Sequence, residues 1–384
     1  MPVERRILVV DDDPAIRRVI ARLLKGHYLS LAATAAEALA SARSETFDLA
    51  LVDIHLGDAD GDGYALCRSL REIHPHTEVI LITGSVSHAD EKLYRSLVED
   101  AFYFLFKPFD RRVLLALVER CLRLQDEREA KEAYAQRLDE DFERAKRFQL
   151  SLLPREPVSH AGWRVAGVLQ SCDQLGGDHF HAQTWGEETV DFAISDVVGH
   201  GVSAAMYAGM LRSTLDAARR RSTDPERVAR WLYDGVDFFD GRKFATLVYG
   251  QLSSVGNTGG AGSAGRLRYF NAGHPPPILL ANGGLSTLDS TGGLVCTPFR
   301  ARPPAIAEVE LAPGDRLLAY TDGAFEARNE SDEELGRERL AEQFAATSHL
   351  SVPAALDALL DFVRDFAGRR PLGDDVTLLL VERE

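Results

Sequence analysis

The sequence predicts two domains of different fold class joined by one long helix. Short apolar runs alternate with helical patterns at the start, which predicts a doubly wound α/β domain with a five-stranded parallel sheet. A stretch without glycine or proline follows and predicts the helix. Strand patterns then flank blocks of helical pattern, which predicts an α+β domain with a β-sandwich flanked by helices. The expected boundaries are 1–122, 123–155 and 156–384.

The amino-acid composition favours some classes of protein and argues against others. The hydrophobic fraction of 45% and the charged fraction of 27% are typical of a soluble globular protein, and no apolar run approaches the roughly 18 residues of a membrane span. The amino-terminal residues lack the apolar core of a signal peptide, which predicts a cytoplasmic protein. A net charge of −15 argues against nucleic acid binding, which normally requires Lys and Arg to neutralise phosphates.

The cysteines are scattered through the sequence. They form no C-x-x-C pair and have no histidine ligands close by, so we expect packed thiols rather than a zinc site or a disulfide framework. The four are Cys67, Cys121, Cys172 and Cys296.

The predicted strands of the first domain are short, apolar and separated by helical patterns. This alternation implies parallel strands with right-handed crossovers. Asp13 and Pro14 fit a helix N-cap followed by a first-turn proline. The predicted strands are Arg6–Val10, Tyr28–Ala32, Phe47–Ile54, Glu78–Thr83 and Phe102–Phe106.

Chemically active side chains lie at four of these strand ends, where open α/β sheets gather their functional groups. Clustered carboxylates repel unless a cation lies between them, and hard oxygen ligands suit Mg²⁺. Asp53 is the expected phosphoryl acceptor, Lys107 would neutralise the acyl phosphate, and Thr83 would bond a phosphoryl oxygen. The strand-end residues are Asp11, Asp12, Asp53, Thr83 and Lys107.

The segments ILVVDDD, DLALVDIHL, VILITG and FLFKPF, in this order, resemble the receiver domain of bacterial response regulators. The resemblance implies that a partner histidine kinase phosphorylates Asp53 and that Asp11 and Asp12 hold Mg²⁺. It also implies that Thr83 and Phe104 are the switch positions. The loop HLGDADGDGY after Asp53 departs from the pattern because it is longer, more acidic and lacks the usual proline.

The connector from Leu124 to Leu153 should be one helix that Pro154 ends. Its apolar residues recur every three or four positions and form one face. That face could pair with a second copy, which we favour as a homodimer, or lie on either domain; an inert spacer is the other interpretation. The segment RAKRFQLSLLP resembles the helix that leads into the output domains of environmental stress phosphatases. The apolar residues are Tyr134, Leu138, Phe142, Ala145, Phe148 and Leu152.

The second domain combines strands with two helical blocks, and the Gly- and Ser-rich segment Ser253–Gly265 predicts a flexible hairpin loop. The predicted strands are Arg164–Leu169, Val190–Ser195, Thr246–Leu252, Leu267–Ala272, Pro277–Leu280, Arg316–Tyr320 and Val376–Val381. The predicted helices are Ser203–Arg220, Pro225–Phe239, Arg337–Phe344 and Pro353–Gly368.

Aspartates in glycine-containing turns stand out in this domain, and we expect them directly after strands. Gathered together, they would form a cluster of like charges that requires divalent metals. Two metals about 3.5 to 4 Å apart could share one carboxylate and activate a water for in-line attack on phosphorus. The positions are Asp178 in GGD, Asp196 in SDVVGHG, Asp322 in YTDG, and Asp374 and Asp375 in GDD.

The segments GGDHF, ISDVVGHGVSAAM, FATLVYG, LRYFNAGHPPP, LAYTDGAFEARN and GDDVTLLLV resemble the SpoIIE-type branch of the PPM (protein phosphatase 2C) family. The resemblance implies a metal-dependent protein serine/threonine phosphatase with two Mn²⁺ or Mg²⁺ ions. Asp196 would bridge both metals, with Asp178 and the Val197 carbonyl at the first. Asp322 and Asp374 would bind the second. Asp375 matches a position beyond the ligands.

The sequence leaves the roles of three histidines open. His181 stands where the family often has another acid. His200 and His274 could donate protons, or could fix turns and pack. The family branch also lacks an obvious phosphate-binding arginine.

Together the two resemblances imply a response regulator with a phosphatase output, partnered by a histidine kinase and a phosphorylated protein substrate. In bacterial relatives that substrate is commonly an anti-sigma-factor antagonist. A non-catalytic adaptor that keeps only the fold is the alternative, and the complete set of acids favours an enzyme. A DNA-binding output is opposed by the net charge.

Overall fold

A computed structural model describes residues 4–57, 63–84, 103–236, 243–254 and 264–384. The chain divides into two compact units, Met1–Leu138 and Asp139–Glu384. Among the helices described, none has both the length and the apolar character needed to cross a membrane.

The first unit is built on a five-stranded parallel sheet of order β2-β1-β3-β4-β5, which confirms the predicted doubly wound α/β fold. The strands are β1 (Arg6–Val10), β2 (Tyr28–Ala32), β3 (Leu49–Asp53), β4 (Glu78–Thr83) and β5 (Tyr103–Phe106). The helices are α1 (Pro14–Leu23), α2 (Ala35–Ser44), α3 (Gly63–Ile73) and the start of α4 (Arg111–Ser151).

Both faces of this sheet are buried, as the apolar runs of the strands require. Leu8, Ala50 and Leu81 face one hydrophobic cluster, and Val9 and Leu51 face the other. The predicted cap of α1 is present, since the Asp13 carboxylate accepts from Ala15 N at 2.7 Å. These contacts fix the strand ends where the candidate residues lie.

The helix α4 is longer than the predicted connector. It begins at Arg111 rather than Leu124 because it continues the last helix of the first unit, and it ends at Ser151. The predicted boundary at 122/123 therefore falls inside a continuous helix. Two residues of its apolar face are well exposed, Tyr134 at 69% and Phe148 at 67%.

The second unit contains two antiparallel sheets, which confirms the predicted sandwich with flanking helices. The five-stranded sheet has the order β14-β11-β10-β9-β8 and the six-stranded sheet the order β13-β12-β15-β16-β7-β6. The strands are β6 (Val158–His160), β7 (Trp163–Gln170), β8 (His179–Trp185), β9 (Thr189–Val197), β10 (Ala245–Ser254), β11 (Gly265–Ala272), β12 (Ile278–Ala281), β13 (Gly284–Thr287), β14 (Ala307–Leu311), β15 (Arg316–Tyr320) and β16 (Val376–Arg383).

Helices cover the outer face of each sheet. One pair packs on the five-stranded sheet through Leu211, Leu215 and Leu232, and another packs on the six-stranded sheet through Leu356 and Leu359. The helices are α5 (Gly201–Arg221), α6 (Pro225–Asp234), α7 (Gly323–Glu326), α8 (Arg337–Ala346) and α9 (Val352–Ala367), with a 3₁₀ turn at Thr297–Phe299.

Large side chains fill the space between the two sheets. Trp163 and Leu379 of one sheet pack with Phe180 and Phe192 of the other. Helix, sheet, sheet and helix thus form four layers, and the strand ends emerge at the edges of this core. The predicted hairpin loop joins Ser254 to its pairing partner Gly265, and its residues 255–263 lie outside the described part.

Candidate functional site

The first candidate site lies at the carboxyl edge of the parallel sheet. Asp53 ends β3, while Asp11 and Lys107 follow β1 and β5. Lys107 Nζ donates to Asp11 Oδ2 at 2.8 Å and to Asp53 Oδ2 at 2.6 Å. Carboxylate oxygens of Asp11, Asp12 and Asp53 lie within 4.8 Å of one another. The structure therefore brings together the three acids and the lysine that the sequence selected.

Burial and ion pairing have opposite effects on the pKa values of Asp11 and Lys107. Burial raises the pKa of Asp11 more than the hydrogen bond from Lys107 lowers it. Burial alone would lower the pKa of Lys107, but its bonds to Asp11 and Asp53 outweigh that effect and raise it. Lys107 is therefore charged, and three hard oxygen donors fit a divalent cation beside it.

The two predicted switch residues lie on neighbouring strands. Thr83 ends β4 and is buried, and Phe104 in β5 pairs with Leu81 and is half-buried. Phe104 packs against the hydrophobic cluster on one face of the sheet. Their role in switching stays a prediction.

Glycines let the segment after Asp53 approach the acids closely. A Cβ atom at Gly63 would lie 2.2 Å from the carbonyl oxygen of Asp53, and one at Gly57 would lie 2.9 Å from Asp12 Oδ2. No larger residue fits at Gly63 without moving the backbone. Residues 58–62 of the acidic loop, where the sequence departs from the receiver pattern, lie outside the described part of the chain.

The second candidate site is formed by the ends of antiparallel strands from both sheets. Asp196 lies near the end of β9 and Asp322 follows β15, as predicted. The expectation that all the acids follow strands is wrong, because Asp178 precedes β8, and Asp374 and Asp375 precede β16. In an antiparallel pair, one strand begins where its neighbour ends. The register places the start of β8 beside the end of β9 in one sheet and the start of β16 beside the end of β15 in the other. The bonds from Thr321 and Thr377 to Asp178 connect these strand ends of the two sheets.

Asp178 is the most enclosed acid of this site. Its Oδ2 accepts from the Thr321 hydroxyl at 2.7 Å and from the Thr377 hydroxyl at 2.5 Å. Burial raises its pKa well above the usual range, and the neighbouring Asp196 adds to the rise. The two threonines thus fix the carboxylate while Asp196 faces it.

Asp196 is at the electrostatic centre of the cluster. Burial raises its pKa to about 7, and repulsion from Asp322, Asp374 and Asp375 contributes. Four other carboxylates therefore act on this one side chain, including its neighbour Asp178. Such crowding of like charges is relieved by cations, and carboxylate oxygens are the ligands that Mg²⁺ and Mn²⁺ prefer. The donor set fits divalent metal.

Asp374 is exposed, whereas Asp375 is buried and held by the backbone. The Asp375 carboxylate accepts from Cys172 N at 2.9 Å, and a Cβ atom at Gly176 would lie 1.7 Å from its Oδ2. The Cys172 sulfur lies within 4.8 Å of carboxylate oxygens of both aspartates. Burial, followed by Asp375, raises the pKa of Cys172 to about 12, so the thiol is protonated. Sequence reasoning missed this neighbour, because only the folded chain brings it to the acids.

The three histidines differ in environment. His274 is buried with its Nδ1 at 2.7 Å from the Thr246 hydroxyl, and burial lowers its pKa to about 3. It is therefore neutral at pH 7, which favours the packing interpretation over proton donation. Burial also lowers the pKa of His181 to about 4, so its imidazole is neutral at pH 7. His200 is exposed, with Nδ1 at 3.6 Å from Asp173 Oδ2.

Family models match both domains of the chain. Residues 7–119 match the response regulator receiver domain, and residues 186–384, just over half of the chain, match the family Stage II sporulation protein E (SpoIIE). Together with the two folds and acid clusters, these matches define a response regulator with a metal-dependent serine/threonine phosphatase domain of the PP2C type. The chain belongs to the SpoIIE family.

Two relatives and one solved structure illustrate the similarity. Protein IcfG of Synechocystis sp. is 26% identical over 276 residues, which is 63% of this chain but only 41% of IcfG. Phosphoserine phosphatase RsbU of Bacillus subtilis is 24% identical over 315 residues, 81% of this chain and 87% of RsbU. The SiaA-PP2C domain of Pseudomonas aeruginosa superposes with a TM-score of 0.55 at 17% identity, over 66% of this chain and 99% of that domain, and shows the shared fold.

Proposed function

We propose that this protein removes phosphate from phosphoserine or phosphothreonine on another protein, and that phosphorylation of Asp53 by a histidine kinase controls this activity in the cytoplasm. One observation carries the proposal. A buried Asp53 in contact with Lys107 and an acid cluster centred on Asp196 occur in one chain, and the chain leaves the first unit and enters the second as one continuous helix.

The phosphatase step rests on the arrangement of acids. When bound, two divalent cations, Mn²⁺ or Mg²⁺, would activate water and offset the charge on the phosphoryl oxygens. We assign Asp196 to both cations, Asp178 and the Val197 carbonyl to the first, and Asp322 and Asp374 to the second. This arrangement needs no nucleophile from the protein, in agreement with the protonated thiol of Cys172.

The control step rests on the end of α4. The Gln149 side chain donates to Gly176 O at 2.8 Å and accepts from Gly176 N at 3.4 Å. Gly176 is two residues before Asp178 and contacts the Asp375 carboxylate. A rotation of α4 would therefore shift Gly176 and, through it, the positions of Asp178 and Asp375. We propose that phosphorylation moves Thr83 and Phe104, reorients α4 and changes how the acids hold metal.

The substrate is proposed by similarity. RsbU is named a phosphoserine phosphatase, and the SpoIIE-type resemblance implies a phosphoserine on an anti-sigma-factor antagonist. We propose a substrate of this kind here, with Mg²⁺ in the receiver site.

A phosphatase assay on the full chain tests the proposal. We expect turnover of a phosphoserine antagonist peptide with Mn²⁺, and a changed rate when a small acyl-phosphate donor labels Asp53. Unchanged turnover after complete labelling would contradict the control step. An inactive protein that binds no Mn²⁺ would favour the adaptor alternative.

The exposed face of α4 suggests a homodimer, which we propose as the assembled form. Leu138 is 43% exposed and Phe142 is half-buried, so replacing both with Asp would place charges in the seam and should give monomers. Sedimentation of the double variant measures this. Gln136→Asp is the matched control, because Gln136 is exposed and lies off the apolar face. A wild type that is monomeric both with and without phosphorylation would rule the dimer out.

A further inference from the structure

A small cavity opens beside the acid cluster. Its volume is about 220 Å³, and Asp374 and Gly323, the neighbour of Asp322, line one part of it. Glu326, Arg328 and Arg370 line other parts. The cavity therefore adjoins two of the acids assigned to metal and carries two cationic side chains. The volume suits one side chain of a substrate rather than a whole peptide segment.

The two arginines already share one carboxylate. Asp332 Oδ1 lies 2.7 Å from Arg370 Nη1, and Asp332 Oδ2 lies 3.5 Å from Arg328 Nη1. The separate oxygens of one carboxylate thus meet two guanidinium groups. The hydrogen bond from Arg370, followed by the charges of both arginines, lowers the pKa of Asp332, so it is ionised at pH 7. Arg328 also pairs with the Glu334 carboxylate and donates to the Asp332 carbonyl oxygen at 2.9 Å, so the carboxylate that both arginines share is that of Asp332. Its position shows that one acidic side chain can reach both guanidinium groups.

The internal contact is exchangeable. The side chain of Asp332 is 68% exposed and those of both arginines are 40% exposed. Exposed ion pairs contribute little to stability because water screens them. An incoming carboxylate of the same geometry can therefore replace Asp332 at small cost. Other bonds hold the loop, since Asn329 N donates to Glu333 O at 3.0 Å.

The surrounding charge makes this pair selective. The protein has a net charge of −15, and Glu326 and Asp374 add negative charge to the cavity itself. An acidic substrate segment would be repelled unless cations face it. Guanidinium groups are suited to this because they bind carboxylates through fixed, forked donors.

We propose that Arg328 and Arg370 form a subsite that binds an acidic side chain of the protein substrate by replacing Asp332. The subsite adjoins the acid cluster, and each extended residue spans roughly 3.4 Å, so the acidic residue should lie about one to three positions from the phosphoserine. This inference rests on the proposed phosphatase function and names the substrate class for the same site.

Charge-swapped peptides test the subsite on the full chain with Mn²⁺. Phosphoserine peptides that differ only in carrying Glu, Gln or Lys at the neighbouring positions are compared by kcat/KM, with p-nitrophenyl phosphate as a substrate without flanking residues. We expect wild type to prefer the Glu peptide over the Gln peptide by about two- to fivefold, as befits an exposed ion pair. Arg370→Glu should reverse the order and favour the Lys peptide. Arg369→Ala is the control, because this exposed neighbour does not line the cavity and should keep the wild-type order.

A variant that hydrolyses the Glu peptide faster would distinguish substrate binding by the two arginines from a merely structural role. Asp332→Asn removes the charge of the internal carboxylate that both arginines share and should increase kcat/KM for the Glu peptide alone. Asn tolerates the left-handed backbone at this position, where φ is 65°, so the loop should keep its form.

Equal hydrolysis of all three peptides would overturn the subsite but not the proposed phosphatase function. A uniform loss over all peptides in Arg370→Glu would also overturn it, since Arg370 would then act on the phosphate or the fold. Failure to hydrolyse any substrate, p-nitrophenyl phosphate included, would overturn the proposed function and this inference with it.

Discussion

Asp196→Asn should be the most damaging single change in the phosphatase domain. We expect turnover of a phosphoserine substrate at saturating Mn²⁺ to fall on the order of a thousandfold or more, since cations supply several kcal/mol of charge stabilisation in phosphoryl transfer. The loss should be large because Asp196 lies at the centre of the acid cluster. Asp178, Asp322, Asp374 and Asp375 all interact with its carboxylate. The amide keeps the size of the side chain but removes the charge that would hold two cations together.

The same variant should be more stable than wild type when metal is removed. The folded-state pKa of Asp196 is raised from 3.8 to about 7, first by burial and then by the other acids. An acid with a raised pKa resists ionisation in the folded state, so its destabilising effect grows from pH 4 to pH 7 and is complete above. Asp196→Asn removes that effect. In chelator we expect roughly 1 to 3 kcal/mol of added stability at pH 8 and almost none at pH 4, measured by thermal unfolding.

Asp375→Asn provides the comparison. Asp375 is held by Cys172 N and lies against Gly176, and an amide oxygen can still accept that hydrogen bond. We therefore expect a milder loss of turnover than in Asp196→Asn. Near-normal turnover in Asp196→Asn would contradict the bridging assignment, and equal losses in both variants would place Asp375 among the metal ligands.

The strands of the sandwich show what sequence patterns can predict. All seven interior strands were predicted, whereas β6, β8, β13 and β14 were missed, and each of these four lies at the edge of a sheet. Interior strands are paired on both sides and give continuous apolar runs, as in Leu317–Tyr320. Edge strands tolerate polar residues because one side is unpaired. The segment HFHAQTW of β8 therefore lacks a β-branched pattern although its first three residues are buried.

In the candidate sites, some residues were predictable from the sequence and others were not. The acids were predictable because glycine-flanked aspartates at strand ends are visible in the sequence, even though antiparallel pairing reversed the expected order at Asp178 and Asp374. Their supporting contacts were not predictable. Thr321 and Thr377 reach Asp178 across more than a hundred residues of chain, and Gln149 of α4 reaches Gly176 in the segment before β8. Such contacts depend on packing between elements, which has no local sequence signal.

The second large effect is expected in the receiver domain, where Asp53→Asn should reduce labelling by a small acyl-phosphate donor to background. Asp53 is 5% exposed and lies at 2.6 Å from Lys107 Nζ, with Asp11 and Asp12 close by. A carboxylate oxygen can attack phosphorus, whereas an amide is a poor nucleophile. The fold should survive, because the amide oxygen can still accept from Lys107, which also keeps its bond to Asp11 at 2.8 Å.

Asp13→Asn is the matched control for this loss. Asp13 belongs to the same acidic run, but it is exposed and its carboxylate caps α1 through Ala15 N. Asn is an equally good N-cap, so this variant should fold and label normally. Incorporation of radioactive phosphate into the intact chain measures both. Full labelling of Asp53→Asn would refute the acceptor assignment. Loss of labelling in both variants would show that charge near the site, rather than a single nucleophile, limits the reaction.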